Sequence, residues 1–201
     1  MSFFDIFKSN KKISIEQQLN TFSKLNITPK NDDFIDWIYC EWGRKAVEAD
    51  PYNLILSSLG GERENGDAWE RVSDDVYSFD TECVEDADIY AEILTNLAAL
   101  SKDAFSITNI TSTVNHENCE ASISFTHNKV SYHWHLQYNN DWFDGDVINK
   151  INQLLRENDS SEFFYTCILG QNLMVLFTSQ SNIDEVNKLV SIPFVLGCSE
   201  A

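Results

Sequence analysis

FFYTCILGQNLMVLFT, Phe163 to Thr178, decides the fold. Two runs rich in aromatic and branched aliphatic residues flank Gly170-Gln171, a two-residue connection of the kind that joins antiparallel strands. Both runs are apolar at consecutive positions, where a strand with one wet face would alternate. The spacing therefore predicts a central hairpin with a packed layer on each side. Upstream, a helix capped by Asp144 carries Val147, Ile148, Ile151, Leu154 and Leu155 at core spacing. Downstream, a helix from Ser181 to about Val190 leads into a proline-containing tail.

Further outward, three β segments are expected near residues 105–114, 119–127 and 130–138. Before them, a helix from about Asp86 to Leu100 would bury Ile89, Tyr90, Ile93, Leu94 and Leu97, preceded by a strand, VYSFDTEC. The order βαβββαββα, rich in consecutive hairpins, predicts an α+β fold with a mainly antiparallel sheet. Residues 1–61 read as helices and residues 62–201 as the sheet region, together one continuous domain. Ser14 and Gln17 form a capping box ahead of Ile15, Leu19, Phe22 and Leu25. A second helix carries Phe34, Trp37, Ile38 and Trp42 on one stripe, and Gly43 weakens it. Asp50-Pro51 reads as an N-cap and first helical residue, and Gly60-Gly61 as the stop. GGERENGDAWE, beginning at Gly60, reads as a long loop or internal boundary.

The charge narrows the partners. Fourteen basic and 32 acidic residues give a net charge of −18, a field that repels nucleic-acid phosphates and anionic lipid and attracts basic proteins. Neither a nucleic acid nor a membrane is an expected partner. No window approaches the length of a membrane span, and MSFFDIFKSNKK lacks the apolar stretch and cleavage site of a signal peptide. Phe3, Phe4, Ile6 and Phe7 are expected to dock as a short helix on their own domain. The five cysteines are scattered, odd in number and without a CxxC, so buried thiols in a reducing cytoplasm are the expectation.

SYHWHLQYNNDW, Ser131 to Trp142, holds two histidines that invite a catalytic or metal reading. A two-residue turn at Asn128-Lys129 sets the register. It pairs Phe125 with Tyr132, Ile123 with Trp134, Ala121 with Leu136 and Cys119 with Tyr138 on one apolar face. The other face pairs Ser124 with His133, Ser122 with His135 and Glu120 with Gln137. His133 and His135 thus point away from the core, over serines, which are poor metal ligands. A site arises only if VYSFDTEC lies alongside and brings Asp80 and Glu82 to the histidines; that set is the metal-binding alternative. His116 and His127 read as turn residues. NNDWFDGD fails as a calcium loop, because alignment on Gly145 puts Trp142 at a ligand position and Ile151 where the closing glutamate belongs. SSLGGERENG lacks the lysine of a phosphate-binding loop and follows a helix, and no GxSxG occurs. No cofactor is expected.

Trp69, among the charges of ENGDAWERVSDD, and Trp142, between Asp141 and the Asp144 cap, suit recognition of a cationic partner. LGGE, WERVSDDVYSFDTECVED, DWFDGDVINKINQLL and FFYTCILGQNLMVLF together resemble small acidic bacterial cytosolic proteins. They are also similar in pattern to the α+β immunity proteins that accompany secreted toxins, over roughly two thirds of the chain. The resemblance implies a non-enzymatic protein that binds and blocks a toxin, and it carries over no functional residue. The expected contacts to a basic toxin domain, chosen for charge and for exposed tryptophan, are Glu62, Glu64, Asp67, Trp69, Asp74, Asp75, Asp141 and Trp142.

Overall fold

The hairpin at Gly170-Gln171 is central, as its two-sided apolar pattern requires. A computed structural model describes residues 12–198; the expected helix at Phe3–Phe7 lies outside them. The helices are α1 (Ile15–Ser23), α2 (Phe34–Trp42), α3 (Arg44–Ala49), α4 (Asn53–Gly60), α5 (Ile89–Leu100), α6 (Asp146–Glu157) and α7 (Gln180–Val186). The strands are β1 (Glu62–Asn65), β2 (Ala68–Arg71), β3 (Val76–Asp80), β4 (Ile107–Asn115), β5 (Glu120–His127), β6 (Val130–Leu136), β7 (Glu162–Leu169), β8 (Asn172–Ser179) and β9 (Val195–Leu196). From β3 to α7 the order is the expected βαβββαββα, in an α+β architecture with antiparallel sheets. Among the described residues three sheets form: β3-β8-β7-β9, β4-β5-β6 and the β1-β2 ribbon.

Alternation along β7 and β8 divides the interior into two cores. Phe164, Leu173 and Val175 join Tyr77, α5, α6 and the inner face of β5 in one cluster. Tyr165, Cys167, Met174 and Leu176 join Val76, α1–α4 and α7 in the other. Full burial of side chains of this size contributes roughly 1.5–3 kcal/mol each, so both faces of one hairpin are strongly committed. The second cluster also ties the N-terminal helices to the sheet. Gly60 ends α4 directly over β3, where a Cβ would lie 3.0 Å from that of Ser78. Gly170, with φ of 65°, opens the turn between β7 and β8.

α1 begins with the expected capping box. Its Gln18 is fully buried: Nε2 donates to Ile13 O (2.9 Å) and to Val47 O (3.4 Å), and Oε1 accepts from Tyr52 N (2.6 Å). That last bond helps hold Tyr52 at φ of 70°, and α4 starts at Asn53 behind it. Asp50-Pro51 is therefore a preceding turn instead of the helix start, with Asp50 Oδ1 accepting from Asn53 Nδ2 (2.7 Å). Gly43, at φ of 77°, ends α2 outright, and Trp42 is left 55% exposed, outside the stripe that buries Phe34 and Ile38.

Other expectations need correction. GGERENGDAWE is no open loop, since most of it forms the β1-β2 ribbon, closed at Gly66. Only Cys167 is buried; Cys40 and Cys119 are exposed and Cys83 and Cys198 half-buried. The β5-β6 register is the expected one from His127↔Val130 to Ala121↔Leu136, with both turn residues Asn128 and Lys129 at positive φ. It stops there because Gln137 N donates to the Asp144 carboxylate (2.8 Å), which draws the chain off the ladder. Tyr138 and Cys119 do not pair; the Tyr138 hydroxyl instead meets His116 Nδ1 at 2.9 Å. His127 belongs to β5 and is buried against Phe105, with Nδ1 hydrogen-bonded to Ser106 O (2.8 Å).

Asn152, on α6 and 1% exposed, locks that helix to the sheet. Its Nδ2 donates to Phe164 O and its Oδ1 accepts from Phe164 N, both at 2.8 Å. Phe164 O also accepts from Gly197 N, so Asn152→Ala orphans chiefly the buried Phe164 N–H. The expected cost is about 1–3 kcal/mol, read as a lower urea midpoint at unchanged slope. A smaller loss than in a surface control such as Gln153→Ala would contradict this role.

Candidate functional site

The β1-β2 ribbon carries the first group of candidate contacts. Its pairs are Glu62↔Arg71, Arg63↔Glu70, Glu64↔Trp69 and Asn65↔Ala68, so alternate residues face opposite ways. One face is fixed to the protein: Arg63 bonds Asp33 (2.9 Å) and Glu70 (3.4 Å), and Glu70 accepts from Asn31 (3.2 Å). The other face carries Glu62, Glu64 and Trp69, all exposed, with Trp69 at 65%. Arg71 shares that face but is spent inward, its Nη2 donating to Val76 O (2.9 Å) and its guanidinium lying over the Tyr77 ring. Asp67 occupies the exposed turn. Two carboxylates beside an open indole, on a ribbon held by ion pairs from behind, make a surface suited to a cationic partner.

Asp74 is exposed and paired with Lys30 at 2.8 Å. Asp75 has a different job. Its carboxylate accepts from Thr28 N (3.0 Å) and Thr28 Oγ1 (2.9 Å) and meets Lys102 at 2.5 Å. It pins the stretch after α1 to the segment after α5, and its side chain is only 11% exposed. The structure thus uses Asp75 internally instead of presenting it as a contact.

Asp141 and Trp142 belong to a separate place. The segment between β6 and α6 is stitched to the tail of β3 by Phe143 N donating to Thr81 O (2.7 Å) and Val84 N donating to Asp141 O (2.8 Å). Thr81 N donates to Gln171 O (2.8 Å), so the turn of the central hairpin closes the same corner. Between these segments lies a cleft of about 410 Å³. Ile168, Leu173 and Phe143 supply apolar wall, and Gln137, Asn139 and Asn149 supply amides. Trp142 lines it while remaining 42% exposed. Asp144 also lines it and is 5% exposed, with Oδ2 accepting from Gln137 N and Oδ1 from Asp146 N (3.0 Å). It stands just before α6, so the expected cap acts from one position further out, Gly145 being the N-cap.

The ribbon and the cleft sit at opposite ends of β3. Arg71 anchors the ribbon beside Val76, and Trp142 bridges to Glu82, beyond Asp80. Among the described residues no hydrogen bond or ion pair links the two sets. The metal alternative is likewise not assembled. Asp80 and Glu82 follow from β3 in the central sheet, and His133 and His135 lie on β6 in the other sheet. Asp80 accepts from Glu82 N (2.8 Å), and Glu82 accepts from Gln171 Nε2. His133 Nδ1 meets Ser124 Oγ at 2.8 Å, and the two exposed imidazoles stack edge to face. Among the described residues no three His, Cys, Asp or Glu side chains converge to hold a metal.

Sequence reasoning marked Trp142 and its acids but missed the cleft, because Ile168 and Leu173 read only as core and Gln137 as part of the face turned away from it. No family model, curated protein or solved structure matches the chain. No helix among the described residues is long and apolar enough to cross a membrane.

Burial raises Cys198, which lines the cleft, and near it Cys83, pushed up to about 11, and Tyr90, pushed up to about 12. The Tyr90 hydroxyl accepts from Asp144 N at 3.0 Å. Unfolding returns these groups to ordinary values of 9.0 and 10.0, so above about pH 9 the unfolded chain holds fewer protons than the folded one. Stability is expected to be level in this respect below that pH and to fall as pH rises from about 9 towards 12. Urea midpoints against pH check this, with Cys83→Ala and Tyr90→Phe each making the alkaline decline shallower. An unchanged decline in both variants would contradict it.

Proposed function

We propose that this protein is a non-enzymatic binding protein that neutralises a basic partner by occlusion, in the manner of an immunity protein against a toxin domain. The reading is supported above all by the outward face of the β1-β2 ribbon. There Glu62 and Glu64 flank a 65% exposed Trp69, and the protein behind it carries a net charge of −18. The ribbon is braced by Arg63 and Glu70, so little ordering cost attends binding. Acidic side chains on it would take the place of an anionic substrate on a basic active surface, and the indole would supply apolar contact and cation–π attraction. A cytoplasmic site of action in a bacterium belongs to this same proposal.

The test is complex formation with a basic domain encoded by a neighbouring gene, followed by titration calorimetry over a range of salt. Charge reversal in Glu62→Lys/Glu64→Lys is expected to weaken binding by about tenfold to a hundredfold and to flatten its salt dependence. Trp69→Ala, on an exposed site that leaves the fold intact, is expected to cost about 2 kcal/mol of affinity. Binding that ignores both salt and these variants would rule out the ribbon as the contact surface.

A further inference from the structure

The cleft beside Trp142 offers a second, more selective element of the same recognition. We infer that it receives an arginine side chain of the basic partner; this rests on the binding reading above and names where a single cation would be held.

Four observations carry the inference. The cleft, at about 410 Å³, accepts a side chain of that size with room to spare. Among the described residues it is lined by two aspartates and by no lysine or arginine. Asp144 is buried, and its oxygens each accept a single backbone N–H. A carboxylate offers about four lone-pair positions, so about two remain for a donor, and no side-chain cation among the described residues pairs with it. Lys150 is spent on Asp146 at 3.0 Å. The first turn of α6 does work against a cation, adding about half a positive charge. Against that stand the carboxylates of Asp144 and Asp146, with Glu82 and Asp141 beside Trp142 in sequence or across its bridge. Among the described residues, carboxylates thus outnumber cationic groups at the cleft.

The shape of the chemistry favours a guanidinium over an ammonium. The indole of Trp142, 42% exposed, presents a flat apolar face on which a planar guanidinium can stack. Ile168 and Leu173 suit the methylene stem. The forked N–H groups of arginine match one carboxylate together with the side-chain carbonyl of Gln137, whose Nε2 donates to Asn139 Oδ1 at 3.1 Å. A lysine would use only the charge.

The experiment is a titration of isotope-labelled full-length protein, followed by amide and indole NMR signals. The probes are an acetylated, amidated Gly-Arg-Gly peptide, its citrulline counterpart and agmatine. The arginine peptide is expected to shift Gly145, Asp146 and the Trp142 indole, and the isosteric but neutral citrulline peptide to bind about tenfold or more weakly. Trp142→Ala, at an exposed position, and Asp146→Asn each keep the fold and are expected to weaken the arginine peptide; Asp144→Asn is expected to do so most. Equal binding of the arginine and citrulline peptides would overturn the inference, as would shifts elsewhere or an unaffected Trp142→Ala. Saturation by agmatine with no binding of the peptide would also overturn it, by identifying a free small cation as the occupant. The two proposals fail separately. A partner complex that tolerates Trp142→Ala removes the cleft alone, and arginine-peptide binding without any protein partner removes the toxin-binding reading alone.

Discussion

Burial of the β7-β8 hairpin on both faces is the constraint on which the structure depends. Each strand sends alternate residues into different cores, so one short antiparallel pair commits two layers of packing at once. Slipping its register by one residue would exchange Phe164 with Tyr165 and Val175 with Leu176, placing every side chain in the wrong core. The glycine turn at Gly170 and the bonds from Asn152 to Phe164 hold the register from two directions.

The two candidate surfaces follow from how that sheet ends. β3 is its edge strand beside β8, and the chain enters β3 from the ribbon and leaves it towards Thr81 and Glu82. Polar segments accumulate at both ends because the faces are already covered. At the entry, ion pairs brace a ribbon that has almost no apolar residues of its own. At the exit, backbone bonds among the tail of β3, the hairpin turn and the stretch before α6 leave a gap that becomes the cleft. Asp144 organises this corner by taking Gln137 out of the β5-β6 ladder and starting α6. The residue that shapes the cleft thus also contributes a buried carboxylate to it.

Much of the frame was legible in sequence because it rests on local periodicity. The β5-β6 register could be read pair by pair, since aromatic and aliphatic residues alternate with Ser and His over several positions. The capping box at Ser14 and the helical spacing in α5 and α6 are equally local. The ribbon escaped because EREN and AWER contain little apolar alternation, and their stability comes from Asp33 and Asn31, some thirty to forty residues away. Asp75 was misread for a similar reason. An aspartate in a charged run resembles a solvated contact, and only the approach of Thr28 and Lys102 turns it into an internal tie.

Composition and pattern by themselves determined the α+β class, the central hairpin, the strong negative charge and the separation of His133 and His135 from the aromatic core. These depend on side-chain chemistry and on periods of two or about four residues, which a sequence displays directly. Tertiary structure alone decided that Asp80 stands in a different sheet from the histidines and Glu82 just beyond that sheet, that Trp69 lies open while Asp75 is engaged, and that Trp142 borders a cleft with a buried carboxylate. Those outcomes are set by which strands become neighbours and which loops close on one another. Such contacts join residues distant in sequence, and no local pattern encodes them.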